Sequence, residues 1–242
     1  MDAKKVAGKL VTWIQEQVKS AGGKGCVFGM SGGIDSSVVA ALCRRSHPDN
    51  LLGVIMPCHS DPKDAEHAGM VAKKFSVPFR KVVLDDIFDN LLGTLPEVET
   101  APENIRTAHV NLKPRLRMLT LYYLANQLNY LVIGSGNRDE LTVGYFTKYG
   151  DGGVDILPLG ALLKSEIREL ARFLDVPREI IDKAPSAGLW PGQTDEGEMG
   201  LTYDVLDGYL GEGKAPALWQ DKIEAMVRAS AHKRSMPPIA DI

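Results

Sequence analysis

The apolar positions of this chain fall into short continuous runs that alternate with longer stretches of helical spacing. Residues 1–20, MDAKKVAGKLVTWIQEQVKS, set polar residues throughout an i, i+3, i+4 apolar spacing and predict an amphipathic helix. After Gly22 and Gly23, GKGCVFGM is an apolar run suited to a buried strand. VVAALCRRS then reads as a helix with Arg44 and Arg45 near its C-terminal end. LLGVIMP predicts a second strand, and SDPKDAEHAGMVAKKFSV a helix capped by Ser60 or Asp61 with Pro62 in its first turn. PFRKVVL predicts a third strand, and DDIFDNLL a short helix capped by Asp85. This β-α-β-α-β alternation argues for an α/β fold, a doubly wound parallel sheet flanked by helices, whose ligands bind at the carboxyl ends of the strands.

LPEVETAPE reads as a linker, and NLKPRLRMLTLYYLANQLN as helical from about Pro114. In that helix Leu116, Met118, Leu119, Leu121, Tyr122, Tyr123, Leu124 and Leu128 cover most of the circumference. A helix apolar nearly all round must be buried, within the domain or against another chain, and the pattern does not separate the two. YLVIGSG predicts a fourth strand, and VDILPLG a short edge or irregular segment because Pro158 interrupts it. KSEIRELARFLD and REIIDK read as helices, and two more helical patterns lie around TYDVLDGYL and PALWQDKIEAMVRASAHKR. APSAGLWPGQTDEGEMG, rich in Gly, Pro and acids, has neither period and reads as a mobile loop.

Composition narrows the class. The 242 residues suit a single domain spanning 1–242, and a hydrophobic fraction of 44% supplies a sizeable core. A net charge of −3 gives no global basic field, so nucleic acid is not an expected partner. No stretch approaches the length of a membrane span, and the N-terminus does not read as a signal peptide. Cys26, Cys43 and Cys58 form no C-x-x-C pair and fit a reducing, cytoplasmic setting. Cys58, His59, Asp61, Asp64 and His67 match no zinc spacing.

The chemistry concentrates in GMSGGIDSS, Gly29 to Ser37, placed between the first strand and the next helix. Gly32 and Gly33 let the backbone approach an anion, Ser31, Ser36 and Ser37 add hydroxyls, and the helix N-terminus adds partial positive charge. That is a phosphate or pyrophosphate cradle, and it is not a Walker loop because no Gly-Lys-Ser/Thr is present. Asp35 would repel a bare polyphosphate, but fits as a ligand for Mg²⁺ lying between carboxylate and phosphate. GSGNRDE, at the end of the fourth strand, offers Ser135 and a second carboxylate, Glu140. Lys148, Asp155 and Lys164 follow in YFTKYGDGGVDILPLGALLKSEIREL.

SGGIDSS resembles the signature of the ATP pyrophosphatases, whose loop grips the pyrophosphate of ATP while the α-phosphate is attacked. The ordered set GMSGGIDSS, NLKPRLRM, GSGNRDE, GYFTKYGDGGVDILPL, KAPSAGLWPGQTDE and AHKR is similar to the ammonia-dependent NAD synthetases over most of residues 20–235. The resemblance implies a Rossmann-like, ATP pyrophosphatase-type fold without a glutaminase domain. It implies ATP-dependent amidation of deamido-NAD with ammonia through an acyl adenylate, yielding NAD, AMP and pyrophosphate. Carried over, it puts ATP on Gly29, Met30, Ser31, Gly32, Gly33, Ile34, Asp35, Ser36, Ser135, Lys164 and Ser186. Mg²⁺ falls to Asp35 and Glu140, and deamido-NAD to Arg115, Lys148, Asp155, His232 and Lys233. Asp35, Lys164 and Asp155 become the catalytic set, the Ser186–Glu198 loop a cover over the adenylate, and the assembly a homodimer. Two departures stand out: Ser135 where threonine is common, and Pro114 where alanine is frequent. The rivals are a tRNA-modifying adenylating enzyme, a nucleotide-amidating enzyme as in GMP synthesis, and a non-catalytic nucleotide-binding regulator. The missing C-x-x-C pair and basic RNA-binding patch weigh against the first.

Overall fold

A computed structural model describes residues 1–96, 98–190 and 192–241. Four strands form a parallel sheet in the order β3-β2-β1-β4: β1 (Gly25–Gly29), β2 (Leu51–Ile55), β3 (Phe79–Lys81) and β4 (Tyr130–Ile133). Strand β1 shows why the runs are apolar throughout. Cys26 and Phe28 enter the core beneath one face, Val27 enters the core beneath the other, and all three are fully buried. Helices α1 (Ala3–Ser20), α2 (Ile34–Ser46), α3 (Pro62–Phe75) and α7 (Lys164–Phe173) pack on the first face. Helices α4 (Asp85–Thr94) and α5 (Pro102–Leu128) pack on the second.

The chain winds outward from β1 through β2 to β3, then returns through α4 and α5 to place β4 on the other side of β1. The order therefore reverses between β1 and β4, and a crevice opens there beyond the strand ends. Ile156, in the segment interrupted by Pro158, makes only an isolated parallel bridge to Ile133. A smaller apolar cluster joins α6 (Arg138–Val143), α9 (Asp195–Met199), α10 (Tyr203–Glu212) and α11 (Ala217–Ala229) beside that crevice. The short α8 (Arg178–Ile181) follows α7, and a 3-10 turn, Ala231–Lys233, follows α11.

Three local expectations are corrected. Helix α5 begins at Pro102, twelve residues' worth of chain before Pro114, which sits inside the helix and cannot donate to the carbonyl of residue 110. Asp85 does not cap α4: Leu84 holds that position, and the Asp85 carboxylate accepts the His59 amide at 2.6 Å. The Gly/Pro-rich loop contains α9, whose N-cap Thr194 accepts from Gly197 N. Asp61 and Pro62 do begin α3 as the spacing predicts. Glu97 of the expected linker and Pro191 of the expected loop lie outside the described residues. No helix among the described residues is long and apolar enough to cross a membrane.

Candidate active site

The loop between β1 and α2 folds back on its own hydroxyls. Ser31 and Ser36 hydroxyls lie 3.0 Å apart, and Ser36 and Ser37 hydroxyls donate to Gly33 O at 3.0 and 2.7 Å. Gly33 caps α2 without any side-chain bond, so first-turn amides keep no intrahelical acceptor and face the crevice as donors. The glycines divide their work. Gly32 has φ +75°, and a Cβ there would stand 2.3 Å from Asp64 O in the first turn of α3. It serves the close approach of loop to helix; Gly33 has room for a side chain, its nearest neighbour being Ser31 Oγ at 3.4 Å.

A cavity of about 930 Å³ opens at the strand ends. Gly29, Met30, Ser31, Gly33, Ile34, Asp35 and Ser36 line it, as do Ser135, Glu140, Lys164, Ser186 and Lys233. At its floor Lys164, the first residue of α7, is 1% exposed and reaches its ammonium to 2.6 Å from Asp35 Oδ2 and 3.7 Å from Glu140 Oε1. Burial would lower its pKa, but Asp35 and Glu140 outweigh burial and hold it above the ordinary lysine value. Glu140 is pushed up to about 8, chiefly by burial, with Lys164 acting against the shift and Asp35 adding to it.

Asn137, unremarked in the sequence, arranges both carboxylates. It is the N-cap of α6 in a capping box: its side chain accepts Glu140 N at 3.0 Å, and Glu140 Oε2 accepts Asn137 N at 3.2 Å. Its amide also donates to Asp35 Oδ1 at 3.2 Å. Glu140 is thus a helix-start acid and a cavity-lining carboxylate together, with Oε1 3.7 Å from the Lys164 ammonium and accepting the Tyr203 hydroxyl at 3.2 Å. A cation already occupies the space between Asp35 and Glu140 in the form of the Lys164 ammonium. Two hard oxygen donors beside a loop of glycine amides and serine hydroxyls suit Mg²⁺, which commonly takes one or two carboxylates and completes its shell with water and phosphate oxygens. The residues therefore fit the ion. No group of three or more His, Cys, Asp or Glu among the described residues forms an all-protein metal cage.

The α7 N-terminus that carries Lys164 is itself clamped. Lys164 N donates to Asp139 Oδ2 at 2.8 Å and to Asp207 Oδ1 at 3.2 Å, and Ser165 N to Asp207 Oδ2 at 2.9 Å. Asp139 is fully buried, and its Oδ1 has no hydrogen-bond partner among the described residues. Burial first, then the neighbouring Asp207, raises its pKa from the ordinary 3.8 to about 7. The folded protein then keeps a proton that the unfolded chain has released, so this group's contribution to stability falls as pH rises toward 7. Asp139→Asn carries no such proton. Melting curves at about pH 5 and about pH 8 are expected to show a smaller pH-dependent fall for the variant than for wild type. Parallel profiles would contradict the assignment.

Four expected acceptor contacts do not reach this cavity. Arg115 lies on the outer side of α5, 3.5 Å from Lys148 O, and Lys148 in turn donates to His232 O at 2.6 Å. Asp155 accepts from Tyr122 OH at 2.9 Å and from Val132 N at 2.8 Å, so its carboxylate completes the edge of β4. Lys233 lines the cavity, yet its ammonium donates to Gly144 O and Phe146 O, both at 2.8 Å, closing the C-terminus of α6. Arg117 points inward where Arg115 points out, because residues two apart on a helix face nearly opposite directions. Arg117 lines the cavity and donates to Met56 O and Ser60 Oγ, both at 3.1 Å. Its spacing in NLKPRLRM was the signal that could have found it.

The profile described as NAD synthase matches residues 6–237. The chain belongs to the NAD synthase family. A relative from Carboxydothermus hydrogenoformans, named NH3-dependent NAD+ synthetase, is 51% identical over 231 residues, covering 96% of this chain and 95% of that protein. Among solved structures, an NMN synthetase from Francisella tularensis superposes with a TM-score of 0.94 at 36% identity, covering 100% of both chains. An NH3-dependent NAD synthetase from Campylobacter jejuni superposes with a TM-score of 0.80 at 30% identity, again over 100% of both. The NAD synthase relatives are ligases that form a carbon–nitrogen bond, and this chain is an enzyme of that class.

Proposed function

We propose that this protein amidates deamido-NAD with ammonia at the expense of ATP. The observation that carries the reading is the Asp35–Lys164–Glu140 constellation at the floor of a serine- and glycine-rich anion cradle. The nicotinate carboxylate attacks the α-phosphorus of ATP, forming a C–O–P bond as pyrophosphate leaves. Ammonia then attacks the acyl carbon, and AMP departs with the carboxylate oxygen.

Each residue has a task in that scheme. The loop amides, Ser36 N among them, and the Ser31 and Ser135 hydroxyls donate to phosphate oxygens, and the Lys164 ammonium offsets charge that grows as the α-phosphorus is attacked. Asn137 holds Asp35 and Glu140 in their mutual orientation. Mg²⁺ held by those two carboxylates would supply further neutralisation of the leaving pyrophosphate. No side chain needs to act as a covalent nucleophile.

The outer cluster supports a homodimer. Leu119 and Tyr123 are each 63% exposed on α5 and share one helical face with Arg115, four and eight residues before them. A second copy covering this face would bring Arg115, Lys148, Asp155 and His232 to the acceptor from outside the cavity. Leu119→Glu is expected to shift the sedimenting species to monomer and to raise KM for deamido-NAD more than KM for ATP. A wild-type protein that sediments as a monomer while fully active would contradict the assembly.

The 0.94 superposition on a protein named NMN synthetase favours a second reading, nicotinate mononucleotide as acceptor. Initial rates with ATP, Mg²⁺ and ammonium, following pyrophosphate and amide product together, compare the two acceptors. A higher kcat/KM for the dinucleotide supports the first reading, and a higher value for the mononucleotide replaces it.

A further inference from the structure

Tyr203 is the largest fully buried side chain among the described residues, with no exposed surface, and its hydroxyl reaches beyond the apolar cluster that its ring joins. It stands 3.2 Å from Glu140 Oε1 and 3.0 Å from Asp195 Oδ2. A phenol added only to fill space would leave a polar atom to satisfy, and phenylalanine would fill the same volume without that cost. The ring also lies 4.7 Å from the Lys164 ammonium, so the group touches both the carboxylate and the lysine of the cradle.

Asp195 opens α9, and it carries the connection into the following turn. Its Oδ1 accepts from Tyr145 OH at 3.1 Å, and that hydroxyl lies 2.7 Å from Glu198 Oε2. Glu198 Oε2 also accepts from Gln193 Nε2 at 2.7 Å. A continuous line of bonds thus runs from Glu140, a cavity carboxylate, to both ends of the 193–199 segment, which itself forms part of the cavity wall. A phenol keeps its proton at neutral pH, so the Tyr203 hydroxyl faces both carboxylates as a donor. One proton faces two acceptors. Whatever draws Glu140 Oε1 toward the cavity leaves the hydroxyl wholly to Asp195.

We propose that Tyr203 and Asp195 are positioning residues that couple the aim of Glu140 to the seating of the 193–199 segment. The inference rests on the assignment of Glu140 to the ATP site. In functional terms, filling the phosphate site would tighten the wall beside it before ammonia arrives, which protects an acyl adenylate from water.

The test uses the full chain as wild type, Tyr203→Phe, Asp195→Asn and Asp195→Ala. Hydrogen–deuterium exchange of peptides over residues 193–199 is read with and without ATP and Mg²⁺, alongside kcat, KM for ATP and melting temperature. ATP with Mg²⁺ is expected to slow exchange of this segment in wild type. In Tyr203→Phe the fold should persist with a moderately lower melting temperature, because the ring is kept while two carboxylates lose a donor. KM for ATP should change little, while kcat falls about 10- to 100-fold and the ligand-induced protection is lost. Asp195→Asn retains an acceptor oxygen and should recover part of the protection that Asp195→Ala loses. Should Tyr203→Phe not fold, the Asn and Ala pair decides alone.

Wild-type protection and kcat in Tyr203→Phe would overturn the coupling, as would equal behaviour of Asp195→Asn and Asp195→Ala. Absence of ATP-induced protection in wild type would overturn it as well. If wild type forms no amide yet shows ATP-induced protection that Tyr203→Phe abolishes, the proposed reaction fails and the coupling stands.

Discussion

Lys164→Met is expected to lower kcat by about 100- to 1,000-fold, the scale on which removing one preorganised charge from a reacting phosphate or oxyanion is felt. The ammonium is nearly inaccessible to water and lies 2.6 Å from Asp35, so no solvent counter-ion replaces it. Its loss also leaves Asp35 and Glu140 facing each other without their shared positive partner. Removing one member of a buried ionic group costs on the order of 3–5 kcal/mol. Glu140 can relieve part of that cost by holding a proton to higher pH, since burial already raises its pKa and loss of the lysine raises it further. An acid whose folded pKa lies above its unfolded value contributes stability that fades as pH rises through the folded pKa. The variant should therefore lose more melting temperature at about pH 8.5 than at about pH 6. Added Mg²⁺ should recover more stability in the variant than in wild type, because the lysine no longer competes for the same oxygens. Calorimetry at both pH values, with and without Mg²⁺, together with steady-state rates, checks all three. A variant with wild-type kcat would remove Lys164 from the reaction.

Gly32→Ala should be the most disruptive single methyl in the cradle. The residue combines φ +75° with a Cβ position 2.3 Å from Asp64 O and 2.9 Å from His67 Cβ. The nearest obstacle is backbone in the first turn of α3, which cannot rotate aside as a side chain would. Left-handed strain and forced separation of loop from helix together should cost about 2–4 kcal/mol. The displaced loop should also lose most ATP binding, measured by calorimetric titration. Gly33→Ala, whose Cβ meets nothing closer than 3.4 Å, is the control and should lose much less stability. Equal losses at both positions would mean that the approach to α3 is not what fixes the loop.

The sheet and the cradle were legible because their signals are local. A strand buried on both faces is a short apolar run, as 25–29, 51–55 and 130–133 are, and an anion loop is a run of Gly and Ser between strand and helix. The first half of α5 was not legible: PENIRTAHVN is mostly polar and exposed, and Pro114 imitates a first-turn proline. Helix α9 is five residues long amid glycines and acids, so no period could form, although Thr194 before two acids was a cap signal. Asp195 in the cavity wall, and Tyr203 and Asn137 buried behind it, were unreadable for another reason. Tyrosine in a helix ordinarily means core, and asparagine before acids ordinarily means a cap; both are true here, and only tertiary contact adds their second role. The acceptor roles of Arg115, Lys148, Asp155 and His232 came from resemblance; within one chain Arg115, Lys148 and His232 gather in one cluster, Asp155 stands at the edge of β4, and none of the four lines the cavity.

Adenylation of a carboxylate can be followed by its oxygen atoms. Deamido-NAD carrying ¹⁸O at both nicotinate carboxylate positions is incubated with the protein, ATP, Mg²⁺ and ammonium, and the products are weighed by mass spectrometry. One label in AMP, one in the amide carbonyl of NAD and none in pyrophosphate is the expected result, with product formed in equal amounts. NAD formed alongside unlabelled AMP, or ATP cleaved to pyrophosphate without any NAD, would contradict attack by the nicotinate carboxylate on the α-phosphorus.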